Sequence, residues 1–428
     1  MSSSFAIACV LVSFGNPLCF EAEPVTTQLP GSLSIVAMND NQVLTGMLDG
    51  NSNEMVVWSE GEVVTRVTSF YESYGILINN NNLAAGLGNF GLSQDERLII
   101  ANTTGEIDIV ATITGSAGWS SLTAINENGT VVGNYSGGSG SSDWQAFIWS
   151  AQDGLQFILP TAETTYARDI DEYGLVTGQI QIGGNYNAML WDNGILVNLA
   201  KLLNLKGNSA GLFFDDSGRV LISEYNNSIQ FSWYDPSDSS VTEVHQFPAG
   251  SYTIRAVASP EGKVAFSWSS ATLGSQLGRW SQELGFETAI IDENFAFITA
   301  IAIDQHGTVA CSAFLLPFYD SIAMLWTDSS SPVSIHELVP GSPIGTQTIA
   351  MTSQGDLLLK GDTNYWSLST TCEADVNTDG TRNVEDLLLV ISAWGQQVQN
   401  PCGADINGNG IVDIGDILSI VNAWGPCQ

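Results

Sequence analysis

Near its C-terminus the chain repeats one spacing of oxygen-bearing side chains, 30 residues apart. Asp375, Asn377, Asp379, Asn383 and Asp386 occupy positions 1, 3, 5, 9 and 12 of the first copy, with Gly380 at position 6 and Thr381 at position 7. Asp405, Asn407, Asn409, Asp413 and Asp416 occupy the same positions of the second, with Gly410 and Ile411 at 6 and 7. A hard divalent cation takes six to eight oxygens, and this pattern supplies five side chains and the carbonyl at position 7. Glycine at position 6 allows the sharp turn that brings early and late ligands together. Position 12 is Asp in both copies, one methylene shorter than Glu, so the following helix must approach the ion more closely. The chemistry expected is binding of two Ca2+ ions.

Each loop must be held by the helix it opens. Leu387, Leu388, Ile391 and Trp394 follow the first loop at apolar helical spacing, and Ile417, Leu418, Val421 and Trp424 follow the second. Gly395 and Gly425 are the expected C-caps. A loop then a helix, duplicated and without a leading helix, resembles the type I dockerin over residues 372–428. It is closest to the cysteine-bearing dockerin-like tails of planctomycetes and related aquatic bacteria. Cys372 and Cys402 each precede a loop by three residues, AWG closes each helix, and Cys427 follows the second. The resemblance implies calcium-dependent docking onto a cohesin-like protein of a surface or assembly. The positions where cohesin-binding dockerins carry a Ser-Thr-like pair and basic residues hold Val384-Glu385, Ile414-Gly415, Ile391-Ser392 and Val421-Asn422. The resemblance therefore implies the ions and leaves the partner's identity open. A module this small needs metal or disulfide staples. One bridge among Cys372, Cys402 and Cys427 would add about 2–4 kcal/mol, and three pairings are open, with Cys372–Cys427 favoured as a terminal clasp.

The 428 residues carry 45 acids and 11 bases, a net charge of −34. Such a surface repels phosphate backbones and anionic lipid headgroups, which disfavours nucleic-acid and membrane-surface partners. Residues 5–14 form an apolar run suited to a signal peptide spanning 1–22, although the basic n-region and an A-x-A cleavage site are missing. A buried first strand is the alternative. No later segment is long enough for a transmembrane anchor, and a secreted or cell-surface location is expected.

Residues 23–370 read as a second repeat. A turn of the form Asx-x-x-Gly begins at 126, 171, 215 and 304, with weaker versions at 39, 79, 259 and 352, in steps of 40 to 48 residues. Asx at the start and glycine at the end make a tight hairpin between two strands. About twenty residues on, seven units place Trp58, Trp149, Trp191, Trp233, Trp280, Trp326 and Trp366 on a third strand, with rings expected to pack between neighbouring blades. Fourth strands follow, among them 195–200 and 333–340. The last unit lacks one, and residues 25–31 are the expected N-terminal replacement that closes the ring. The expectation is an all-β eight-bladed β-propeller, with seven blades as the alternative. The A-I-N-x-x-G-x-V-V-G and A-F-x-W pattern of the units at 124 and 169 resembles the HAF repeats of bacterial extracellular proteins, which imply a propeller and no particular reaction.

The loops joining second to third strands, and fourth to first, lie at one end of a blade. They are polar and aromatic, and offer Tyr71, Tyr74, Trp119, Tyr135, Trp144, Tyr166, Tyr186, Tyr252 and Tyr319 as faces for sugar rings or as packing for loop ends. His245, His306 and His336 lack metal-ligand spacing, and Cys311 reads as a buried strand residue. The acids at 169, 171, 215 and 216 fall in turns, where they cap backbone groups. These features point to a non-catalytic module binding extracellular glycan or protein. The alternative is a polysaccharide-degrading hydrolase or lyase with its carboxylates converging in the channel.

Overall fold

The computed structural model describes residues 7–10, 18–25, 33–48, 54–59, 62–67, 73–90, 95–114, 119–136, 144–159, 164–270, 274–292, 294–316, 320–327, 331–338, 345–361, 365–370, 374, 376, 381–396, 404, 406, 411–422 and 424–426. The chain falls into two compact units, Thr27–Glu287 and Met1–Thr26 with Thr288–Gln428. Among the described residues the first carries six antiparallel four-stranded sheets in consecutive order. The second carries two more and the C-terminal helices. Eight sheets of this up-and-down form are the blades of a β-propeller. Within the first unit, the first strands of blades one to five lie side by side, as inner strands of a propeller do.

The repeated turn builds the hairpin of every blade. Asn39, Asn79, Asn126, Asp171, Asp215, Ser259, Asp304 and Thr352 each accept the backbone N–H four residues on. The residue three after each of them that is resolved in left-handed backbone is glycine in blades three to eight, and Gln42 (φ 58°) and Asn82 (φ 61°) in blades one and two. In blades one to three the Asx is Asn, and its Nδ2 donates to the next turn's carbonyl: Asn39 to Asn79 (2.7 Å), Asn79 to Asn126 (2.8 Å) and Asn126 to Asp171 (2.9 Å). Asp has no such donor. Beyond blade four, the backbone makes such links instead, from Asp216 N–H to Pro260 O and from Gln305 N–H to Ser353 O.

The second strand opens with aliphatic pairs such as Val131-Val132, both fully buried. Its third residue is Gly46, Gly133 or Gly178 in three blades, where a Cβ would stand 2.1, 2.3 or 1.9 Å from a first-strand carbonyl. Trp149 and Trp191 pack between blades as expected, and the side chain of Trp366 lies outside the described residues. Trp149 joins Ala85, Leu87 and Leu98 of the preceding blade, and Trp191 joins Val132, Ala146 and Ile158. Fully burying a large apolar side chain is worth about 1.5–3 kcal/mol. In five blades the tryptophan faces the first residue of the second strand, whereas in blade five Tyr234 takes that place and Trp233 lies one residue earlier.

Three expectations need correction. The strand completing blade eight is Leu18–Val25, paired with Tyr365–Thr370, and Ile7–Val10 adds a fifth strand outside it. Apart from Val25 the segment expected there, 25–31, lies outside the described residues. The fourth strands at 195–200 and 333–340 are shorter than expected. Ile195–Asn198 gives way to the helical turn Leu199–Leu202, because Asn198 caps it by accepting the Lys201 N–H (2.8 Å). Val333–Ser334 likewise passes into Ile335–Leu338. Among the described residues no helix is long and apolar enough to cross a membrane.

Candidate functional site

The first strand of a blade bulges where it passes its partner. In seven blades the bulged residue stands three before the turn: Val36, Ile76, Thr123, Arg168, Leu212, Ile301 and Ile349. Arg168 is the charged exception. In blade six the bulge falls two residues earlier, between Thr253 and Arg255. A one-residue change of register exchanges the faces of the intervening side chains. Arg255, four before its turn, thereby leaves the core-facing place that Ile35, Leu122 and Ala167 occupy elsewhere, all of them buried.

Both arginines line a cleft of ≈ 870 Å³ across blades four, five and six, within the size range of small-ligand pockets. Leu212, Phe213, Ile229 and Phe231 form its apolar wall, and Gln179, Asn208, Ser251 and Glu224 are among its polar groups. Arg168 and Arg255 are exposed at the cleft surface, and partial desolvation by the surrounding protein lowers both guanidinium pKa values. Glu224 accepts the Lys206 and Gly207 N–H groups at 2.6 and 3.0 Å, which fixes its carboxylate in the wall. Ser251 is 4 % exposed, and its Oγ has no hydrogen-bond partner among the described residues.

Three of the expected aromatic residues form a series that ends at this cleft. Trp144, at the start of a third strand, lies 6.0 Å from Tyr166 on the next blade, and Tyr166 lies 6.2 Å from Tyr186. Tyr186 lines the cleft itself. Burial, followed by the charge of and a hydrogen bond with Tyr186, raises the Tyr166 phenol above its ordinary value. Tyr135 instead packs 5.7 Å from Phe157, and Trp119 stands alone at the surface, 73 % exposed. Tyr71, Tyr319 and the side chains of Tyr74 and Tyr252 lie outside the described residues.

Asp171 and Asp215 cap their own turns as expected, while the Asp216 carboxylate accepts no hydrogen bond among the described residues. Asp171 accepts from Tyr173 and Leu175, and Asp215 accepts from Ser217 and Arg219 and pairs with the Arg219 guanidinium at 2.6 Å. Asp169 accepts the Phe214 N–H of the next blade at 2.7 Å. Burial drives its carboxyl up to about 7, outweighing the two N–H groups that stabilise the charged form. His245 stacks on Phe286 at 3.6 Å, His306 is exposed in its turn, and Cys311 is fully buried with its thiol pushed up by burial.

In the C-terminal module the two helices are Val384–Ser392 and Ile414–Asn422. Their caps repeat. Asn383 N–H and Asp413 N–H each donate to the carboxylate three residues on, Asp386 and Asp416, at 2.8 Å. Both of those acids are fully buried, and Asp386 also accepts the Val376 N–H at 2.7 Å. These N–H groups satisfy the buried carboxylates, and of the side chains expected to hold the ions only Asn383, Asp386, Asp413 and Asp416 are among the described residues. Asp375, Asn377, Asp379, Asp405, Asn407 and Asn409 lie outside the described residues, as do Cys372, Cys402 and Cys427. Thr381 and Ile411, expected to ligate by their carbonyls, both have described backbone. Among the described residues no three His, Cys, Asp or Glu side chains gather as a metal site.

The apolar helix residues divide between an inward and an exposed face. Val390, Ile406, Val412 and Ile420 form the core with Leu387 and Ile417 packed against it. Leu388, Ile391 and Trp394, with Leu418, Val421 and Trp424, are exposed instead. The helices are apolar on more than one face, so periodicity alone did not decide which turned inward. Gly395 takes left-handed backbone (φ 77°) two residues past the first helix's C-cap, Ala393. Gly425 is no C-cap, since its backbone pairs with Arg382 in a two-stranded ladder.

No family model matches the chain, and no curated protein matches it. Solved structures similar to it include a streptogramin B lyase, with TM-score 0.42 and 10% identity over 82% of this chain and 98% of that one. A puromycin hydrolase gives 0.47 and 10%, over 78% and 58%. An oligogalacturonate lyase in complex with manganese gives 0.47 and 10%, over 86% and 97%. Likeness at this level carries no functional argument.

Proposed function

We propose that this protein is a secreted, non-catalytic glycan-binding β-propeller, attached to a surface or protein assembly by its calcium-dependent, dockerin-like C-terminal module. The observation that carries the binding reading is the series Trp144, Tyr166 and Tyr186, which leads from one blade to the wall of the cleft. Aromatic faces take the apolar side of a sugar ring, and neighbouring Asn208 and Gln179 suit its hydroxyls. The binding reading is preferred to hydrolysis because cleavage needs two placed carboxylates, while Glu224 is held by backbone N–H groups. Tethering is supported by the repeated caps and by exposed aliphatic residues at matching places on both helices: Val384, Leu388 and Ile391, and Ile414, Leu418 and Val421. An apolar partner such as a cohesin-like domain suits that face.

Calorimetric titration of the full chain against a panel of oligosaccharides tests the binding reading. The expected result is saturable binding without product formation, weakened about tenfold or more by Tyr186→Ala, the scale of one lost stacking contact. Turnover, or binding indifferent to Tyr186, would reject it.

A further inference from the structure

We infer that the cleft selects an anionic sugar, one bearing carboxylate or sulfate, through Arg168 and Arg255. The inference rests on the glycan-binding reading and names the chemistry of its ligand.

The chain has only 11 basic residues against 45 acids. Two of them nevertheless line one cleft, each at a place where the other blades carry an aliphatic, small or hydroxyl residue. For Arg168 the substitution is at the bulge itself. For Arg255 the bulge has also moved, turning the side chain out of the core. Arg66, Arg219 and Arg279 all have carboxylate partners, at 3.4, 2.6 and 2.9 Å. Among the described residues Arg168 and Arg255 have none. Glu224, in the same wall, is turned to the Lys206 and Gly207 N–H groups.

An arginine in a cleft wall with no carboxylate partner leaves its fork open to a planar oxyanion, which it can bind through two parallel N–H donors. The buried Ser251 hydroxyl, without a partner among the described residues, adds a further donor in the same wall. A net charge of −34 opposes non-specific adsorption of anions. Retention therefore depends on fixed contacts within the cleft. Tyr186 in the same cleft wall favours a sugar ring over an acidic peptide, since it offers a stacking face in the site that holds the charges.

The test is calorimetry of the calcium-loaded full chain with trigalacturonate, its methyl ester, a sulfated galactan oligosaccharide and a neutral galactan oligosaccharide, plus an oligoglutamate peptide. One or both acidic oligosaccharides should bind at least tenfold more tightly than the methyl ester and neutral galactan, and the stronger of the two identifies the anion. Arg168→Gln and Arg255→Gln should each reduce that preference about tenfold or more, the scale of one charge-assisted hydrogen bond. Arg168→Ile, which installs the residue that blades seven and eight carry at this place, should do the same while keeping the wild-type melting curve. Lys201→Gln, exposed and outside the cleft, should change nothing. Equal affinity for acidic and neutral sugars would overturn the inference and leave glycan binding standing. Binding of oligoglutamate alone, or of none of the probes, would overturn both.

Discussion

Asp169 shows how one residue couples neighbouring blades to pH. Its carboxyl spans to the Phe214 N–H, and burial raises it to about 7, against about 3.9 in an unfolded chain. The folded state therefore holds this proton more tightly. The stability it contributes is fully present below about pH 4, is lost as pH rises through about 7, and changes no further above that. Urea denaturation across pH 4 to 8 should show a decline that is shallower in Asp169→Asn, and equal slopes would contradict the assignment. The cap role of Asp171 is legible in the sequence, because an Asx turn is a local event fixed within five residues, whereas the Asp169 bond to Phe214 lies 45 residues on and is not. Neither are Arg168 and Arg255 legible there. Which side a strand residue faces depends on where the bulge falls, and the bulge in blade six moves without a local signature. Comparing residues at a fixed distance before each turn would have singled both out as the charged exceptions.

At the scale of elements, hairpins and tryptophan strands were read correctly because each carries a periodic signal of its own. The closing strand was placed at 25–31 rather than Leu18–Val25, since its pairing is set by the far end of the chain. In the C-terminal module, two nine-residue helices with identical caps surround a small core. Elements this short are marginal without further stabilisation. If the loops bind calcium, saturation at about a hundred times Kd adds about 2.7 kcal/mol per ion to the folded module. Calcium titration of the full chain should release heat for two ions and protect the amides of both helices from exchange. Asp386→Asn and Asp416→Asn should each remove one ion. Protection that is the same in calcium and in chelator would contradict the proposed metal role.

Within the unit Thr27–Glu287 the blades repeat one hairpin, and the two charged departures at the first-strand bulge, Arg168 and Arg255, fall on blades four and six. A regular array leaves its variable residues free for recognition, so deviation from the repeat marks the candidate surface better than any motif did. The most direct measurement is hydrogen exchange of the calcium-loaded full chain with and without a saturating acidic oligosaccharide. Protection is expected within 164–187, 208–225 and 250–256, the segments that carry Tyr166, Tyr186, Arg168, Asn208 and Arg255. Ligand-dependent protection confined to other blades, or none at saturation, would contradict the cleft as the binding site.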